Sequence, residues 1–177
     1  MQYRYLDRII STGLFYLGWI LSLREAAEGN PFYGLMVVIF IMAYHLYKSS
    51  HRKADGFLIF LVILLGPISD IVYAKVGLLK YNSQDIQWLP PLWLFFLWGL
   101  FAANVHLFTW MKKHWLLAVA FGAIGAPVSY MSAIRLGGAD LLMPFPYLFI
   151  IVGGVWAFFL PAVIWLSHKL RERIQSG

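Results

Sequence analysis

The chain has 177 residues, of which 61% are apolar, 18% aromatic and only 12% charged. This composition excludes an ordinary soluble globular domain and indicates an integral membrane protein. Because the chain has no cysteine, it has no disulfides, thiolate nucleophiles or cysteine metal sites. We attribute the net charge of +6 to membrane topology, and we expect no nucleic acid as a partner.

Apolar runs separated by charged or turn-forming residues predict six spans, at residues 9–23, 31–47, 57–77, 91–110, 115–136 and 144–168. The first run has the basic start of a signal peptide, but Asp7 lies in its head region, so we expect it to be retained as the first span. The predicted fold class is therefore all-α, a polytopic membrane helical bundle with six transmembrane helices. We expect one domain over residues 1–177.

Basic residues are distributed unequally between alternate connections. The positive-inside rule therefore places both termini in the cytoplasm. The basic side carries Arg4, Arg8, Lys48, Arg52, Lys53, Lys112, Lys113, Lys169, Arg171 and Arg173, and the other side only Arg24, Lys75, Lys80 and Arg135.

This topology places Asp70 in the outer half of the third span. A carboxylate inside a span faces the bundle interior or a wet cavity, and it is a functional candidate by default. We predict Asp70 as an acid/base group or polar anchor, with structural polar packing as the alternative. The hydroxyl of Tyr73 follows one turn later and is a candidate ligand contact.

In the fifth span, small residues recur on one helical face and predict a helix-packing seam. They are Ala118, Gly122, Gly125, Ala126, Ser129 and Ala133. Such small-residue faces also allow a homo-oligomer or a membrane partner. Pro127 removes one helical hydrogen bond, and we expect nearby hydroxyls, including those of Ser129 and Tyr130, to compensate. Both are predicted ligand contacts.

Arg135 closes the fifth span, and the glycines that follow it predict a helix end with one glycine in the left-handed conformation. A cation in the last helical turn interacts favourably with the helix dipole, which is one explanation of Arg135. The other is that Arg135 turns inward, pairs with Asp70 and meets an anionic head group. We list Asp70 and Arg135 as the candidate catalytic pair.

His106 falls in the cytoplasmic half of the fourth span, so we do not expect it to contact Asp70. We predict it as a ligand contact that approaches His45 at similar depth, and packing is the alternative. The clustered histidine pattern of a membrane di-iron site is absent from the sequence. We therefore predict no metal and no cofactor.

Three blocks of sequence resemble a family of small bacterial inner-membrane proteins, domain-of-unknown-function family 2878. They are G-L-L-K-Y at 77–81, P-L-W-L-F-F-L-W-G-L-F-A at 91–102, and G-A-I-G-A-P-V-S-Y at 122–130 followed by R-L-G-G-A. The segment G-P-I-S-D at 66–70 is also similar to that family. The resemblance implies a multi-pass protein of the bacterial inner membrane with no established activity. Members often lie near genes for lipid-modifying enzymes, which favours lipid chemistry.

We therefore expect the protein to bind or modify a membrane lipid, or another apolar or anionic lipid-like small molecule. The binding site would be an intramembrane cavity open to the periplasmic half. The alternatives are a membrane transport component, either a substrate-capturing subunit or an exporter, and a non-enzymatic accessory subunit. The sequence leaves open whether the protein is an enzyme.

Overall fold

The computed structural model describes residues 2–82 and 89–175, and 82% of the structure is helical. Two short 3-10 turns, Val105–Leu107 and Thr109–Lys113, connect the fifth helix to the sixth. In chain order, the helices and strands are α1 Gln2–Ala27, α2 Phe32–Lys48, α3 Arg52–Leu65, α4 Pro67–Lys75, β1 Leu79–Tyr81, α5 Leu92–Ala103, α6 Trp115–Arg135, β2 Ala139–Leu141 and α7 Phe145–Gln175.

Four stretches of the described chain are long and apolar enough to cross a membrane: Leu6–Ala27, Arg52–Lys75, Trp115–Arg135 and Phe145–Ile174. The second joins α3 and α4, which meet where Pro67 interrupts the helical hydrogen bonds. The predicted all-α fold class is confirmed, with four helices long and apolar enough to span a membrane. The apolar helices α2 and α5 have 17 and 12 residues, fewer than the roughly 20 that a full span needs, so six spans stay a prediction.

The main helix contacts are between α1 and α2, α3 and α5, and α6 and α7, while α5 also packs on α1 and α2. At the α6–α7 contact, Gly122 lies against the backbone of Trp156, and a methyl group on Gly153 would come within 2.5 Å of the Ala123 carbonyl oxygen. The Ala123 carbonyl has no helical N–H donor, because residue 127, four positions later, is a proline. The predicted packing seam is thus confirmed where α6 meets α7.

The fourth predicted span differs from the structure, because α5 ends at Ala103 instead of continuing to residue 110. The side-chain amide of the buried Asn104 donates to the Leu100 carbonyl at 2.9 Å. The Asn104 N–H bonds both Leu100 and Phe101, and the chain then enters the 3-10 turns. The prediction that one helix continues through His106 to residue 110 is therefore wrong beyond Ala103.

Helices α4 and α6 end in the same way, at Gly77 and Gly137, whose φ angles are +72° and +80°. In each case the glycine N–H bonds a carbonyl three residues back, and the next N–H bonds one five residues back, at 2.9–3.1 Å. This is the Schellman arrangement, in which a left-handed residue closes a helix and satisfies its last carbonyls. The predicted glycine-terminated end after Arg135 is confirmed.

The strands that follow these two helix ends pair with each other, which the sequence did not predict. They form an antiparallel ladder with Lys80 opposite Asp140 at its centre. Asn82 extends the contact by donating its side-chain N–H to the Gly137 carbonyl at 2.5 Å. Because the strands follow α4 and α6, the ladder holds the same ends of these helices together.

The segments Pro67–Gly77 and Pro127–Gly137 share a pattern of proline, serine two residues later, a basic residue at the ninth position and glycine at the eleventh. The two segments are 60 residues apart in the chain, and so are Lys80 and Asp140 at the centre of the ladder. The paired strands therefore begin at the same distance after each of the two similar segments.

Candidate functional site

The centre of the site is the carboxylate of Asp70, which is 0% exposed. Tyr81 and Tyr130 donate their hydroxyl hydrogens to Oδ1 at 2.5 and 2.7 Å, and Trp98 donates its indole N–H to Oδ2 at 2.6 Å. The three donors come from β1, α6 and α5. Hydrogen bonds to a carboxylate are stronger than those between neutral groups, so this network joins three parts of the fold.

Local packing positions each donor. The Trp98 ring stacks on Trp156 at 4.9 Å and also contacts Gly66, where a side chain would clash with the indole. Tyr81 is placed by the ladder, and the Tyr130 ring packs edge-on against Tyr73 at 5.8 Å. Since these contacts fix the rings, the donors are oriented toward Asp70 in advance.

Asp70 and Tyr130 occupy the same position in the two similar segments, three residues after Pro67 and Pro127 respectively. Their hydrogen bond therefore joins corresponding points of α4 and α6. The ladder joins corresponding points of the strands that follow these helices. One segment carries the buried acceptor and the other carries a donor. The site thus depends on a difference between two otherwise similar stretches of chain.

A cavity of about 500 Å³ lies beside this network, between α1, α5 and α6, with α7 at its inner wall. The three donors to Asp70 line the cavity, whereas Asp70 itself does not. The described lining residues are Phe15, Tyr16, Trp19, Leu23, Tyr81, Trp93, Leu94, Leu97, Trp98, Phe101, Phe108, Phe121, Gly125, Ala126, Val128, Ser129, Tyr130, Ser132, Ala133, Ala139, Trp156 and Leu160.

The cavity opens sideways between α1 and α6, which are not among the main helix contacts of the bundle. Tyr16 on α1 and Phe121 and Val128 on α6 line the cavity, yet they are 55%, 53% and 42% exposed. These apolar side chains belong to helices long enough to cross a membrane. The opening therefore lies among the apolar, exposed side chains of α1 and α6.

Among the predicted ligand contacts, Ser129 and Tyr130 do line the cavity. Tyr73 lies deeper, being 0% exposed and packed against Tyr130, and its hydroxyl has no hydrogen-bond partner in the part of the chain that the structure describes. The small residues Gly125 and Ala133, which were predicted to belong to the packing seam, line the cavity as well.

The predicted pairing of Arg135 with Asp70 is wrong. Within residues 2–82 and 89–175, Arg135 forms no ion pair with Asp70, and its side chain is exposed at the end of α6. The oxygens of Asp70 are already occupied by aromatic donors, and the helix end at Gly137 leaves Arg135 in the last exposed turn. Nor is Arg135 among the described residues that line the cavity.

His106 does not belong to the Asp70 site. Its ring lies 5.5 Å from that of His45, as predicted, and its Nδ1 contacts the Ala103 carbonyl at 3.2 Å. His106 is absent from the described lining of the cavity, so its predicted role as a contact for a ligand there is not supported. The described residues contain no group of three or more histidine, aspartate or glutamate side chains placed to hold a metal.

Tyr81 and Trp98, which both donate to Asp70, were not predicted as site residues from the sequence. Aromatic residues make up 18% of the chain, so neither side chain stood out as a partner of Asp70. Tyr81 follows the glycine that ends the first similar segment by four residues. A comparison of the two segments would have placed their ends together and drawn attention to it.

Residues 8–162 match the family model described as Protein of unknown function (DUF2878). The chain belongs to this family. No curated protein and no solved structure matches the chain. Because members of this family share no assigned activity, the geometry of the Asp70 network and its cavity is the basis for proposing a function.

Proposed function

We propose that the protein binds an apolar, lipid-derived small molecule in the cavity beside Asp70, and that the ligand enters sideways from the bilayer. The observation that carries the proposal is the lateral opening between α1 and α6 into an aromatic and aliphatic cavity of about 500 Å³. Ligand sites have volumes of roughly 300–1,000 Å³ with mainly apolar linings and few polar groups.

The setting that we propose is the inner membrane of a bacterium, with six spans and both termini in the cytoplasm. The unequal distribution of lysine and arginine supports this orientation. In this orientation, the β1–β2 ladder and Asp70 would both lie toward the periplasmic half. The helices α2 and α5 would then cross only part of the bilayer or rely on interfacial residues.

Two features favour ligand binding over an accessory role. An accessory subunit is expected to present its small residues to a partner and to have no cavity. Here Gly122 is used internally against α7, and Gly125 faces a cavity. A transport role would require a second opening on the opposite side of the membrane, and no described contact identifies one.

To test the proposal, we fill the cavity with a larger side chain. A Cβ added at Gly125 meets only the Phe121 side chain, at 3.8 Å, and Gly125 lines the cavity, so we use Gly125→Phe to add a ring there without a backbone clash at the Cβ. Gly154→Phe is the matched control, because Gly154 is a helical glycine outside the cavity with nothing within 4 Å of an added Cβ. Each variant is purified in mild detergent, and the copurified small molecules are identified by mass spectrometry.

We expect a specific apolar molecule to copurify with wild type and with Gly154→Phe. The amount that copurifies with Gly125→Phe should be at least ten-fold lower. Equal recovery from all three proteins, or recovery of bulk phospholipid alone, would contradict binding in this cavity.

A further inference from the structure

The Asp70 carboxylate has no counterion among the residues that the structure describes. The ion pairs found among the described residues join Arg24 to Glu28, Glu172 to Lys112 and Lys169, and Arg171 to Asp55. None of these ion pairs includes Asp70, whose described hydrogen bonds come from phenol and indole groups. The three short donors match the acceptor capacity of an ionised carboxylate, which accepts at both oxygens.

An ionised carboxylate inside a membrane protein is costly unless a positive charge lies nearby. Hydrogen bonds from neutral donors lower that cost but leave the negative charge in place. The cavity adjoins this network. A ligand there is separated from Asp70 by the thickness of one side chain, because Tyr81, Trp98 and Tyr130 both contact the carboxylate and line the cavity.

The cavity wall is suited to a positive ligand and carries no charge of its own. Among the described lining residues there is no lysine, arginine, histidine, aspartate or glutamate, and half of them are aromatic. Aromatic ring faces attract cations, and rings arranged around a space form the usual site for organic ammonium groups. The phenol hydrogen of Tyr130 points at Asp70, so the oxygen of Tyr130 acts toward a ligand only as a hydrogen-bond acceptor.

We infer that the cavity binds a lipophilic organic cation, with Asp70 as its buried counterion across the wall of Tyr81, Tyr130 and Trp98. This inference rests on the proposed function and names the charge of the ligand. It differs from the sequence-based expectation of an anionic head group bound by Arg135, which lies outside the described lining of the cavity.

The test compares ligands that have nearly the same shape and different charge. Tetraphenylphosphonium, tetraphenylborate and neutral tetraphenylmethane are titrated into wild-type protein in neutral detergent micelles, and binding is followed by quenching of tryptophan fluorescence. The same titrations with Asp70→Asn remove the charge, and Gly125→Phe blocks the cavity. Comparing each ligand between variants cancels its partitioning into micelles.

We expect wild type to bind the phosphonium at least ten-fold more tightly than the neutral compound and to exclude the borate. A unit charge about 6–12 Å from the carboxylate at an effective dielectric constant of about 20 gives a preference of roughly 10- to 100-fold. Asp70→Asn should lose this preference and keep affinity for the neutral compound. Gly125→Phe should weaken binding of both.

Binding of the neutral compound and the phosphonium with equal affinity by wild type would overturn the cation inference and leave the proposed apolar site standing. Gly125→Phe supplies the partitioning baseline for each ligand and leaves Asp70 unchanged, so this comparison remains decisive even if Asp70→Asn fails to fold. A preference for the phosphonium that persists in Asp70→Asn would also overturn it. Failure of wild type to bind any of the three, together with no specific copurified molecule, would instead refute the proposed function.

Discussion

Replacing Tyr130 with phenylalanine tests whether the Asp70 network stabilises the fold. The change removes only the hydroxyl that donates to Oδ1 at 2.7 Å, and the ring keeps its edge-on contact with Tyr73. A hydrogen bond to a charged group contributes about 1.5–3 kcal/mol. Because Oδ1 keeps Tyr81 as a second donor, we expect a loss near the lower end, about 1.5–2 kcal/mol in the free energy of unfolding.

The measurement is a double-mutant cycle with Asp70→Asn, using reversible unfolding in mixed micelles. If Tyr130 acts through Asp70, Tyr130→Phe should cost less than about 0.5 kcal/mol in the Asp70→Asn background, which is a coupling energy of about 1 kcal/mol or more. Tyr147→Phe is the control, because Tyr147 is 48% exposed and its replacement should change stability by less than about 0.5 kcal/mol. Equal losses from Tyr130→Phe in both backgrounds would refute the coupling.

Two pairs of glycines provide further tests of the packing by the same unfolding measurement. Gly153→Ala puts a methyl group 2.5 Å from the Ala123 carbonyl oxygen and should cost about 1–3 kcal/mol, whereas Gly154→Ala has open space and should be neutral or stabilising by up to about 1 kcal/mol. Equal effects would contradict the close α6–α7 contact. Gly137→Ala and Gly29→Ala both strain a left-handed glycine, with φ of +80° and +78°, by about 1–2 kcal/mol. Only the former also meets Ala27, at 2.9 Å, so it should cost about 1 kcal/mol more, and an equal loss would show that the clash is relieved.

The sequence predicted well those features that depend on local composition. Four of the predicted apolar stretches are helices long and apolar enough to span a membrane, because length and hydropathy are properties of the stretch itself. The seam around Gly122 and the helix end at Gly137 were also predictable, since small residues and left-handed glycines have specific backbone uses. The predicted contact of His45 with His106 followed from their depth alone.

The early end of α5 was not predictable in the same way. Apolar residues continue past Ala103, so hydropathy gives no sign of the helix end. Asn104 marks it by bonding the Leu100 carbonyl, but a single asparagine in an apolar run equally suggests a contact with a ligand or another helix. Local hydrogen bonding therefore decided a boundary that the apolar pattern left unmarked.

The partners of Asp70 could not be derived from helical periodicity. They lie 11, 28 and 60 residues away in the chain, on a strand and on two other helices. Electrostatics favoured Arg135 as the partner of a buried carboxylate, yet the structure uses neutral aromatic donors. The repeated segment pattern was the one sequence signal that relates Asp70 to Tyr130, and it requires comparison of distant segments.

The position of Asp70 behind the cavity wall bears on whether it acts in binding or in catalysis. A general acid or base must approach the reacting group to about 2.6–3.2 Å, directly or through one water molecule. Asp70 is 0% exposed and does not line the cavity, and its oxygens accept bonds from three side chains that stand between it and a ligand. Any proton passing between Asp70 and a ligand would have to move through a tyrosine hydroxyl. The charge of Asp70, in contrast, acts across that wall without any movement of atoms. The arrangement therefore favours a binding role for Asp70 over the acid/base role predicted from the sequence.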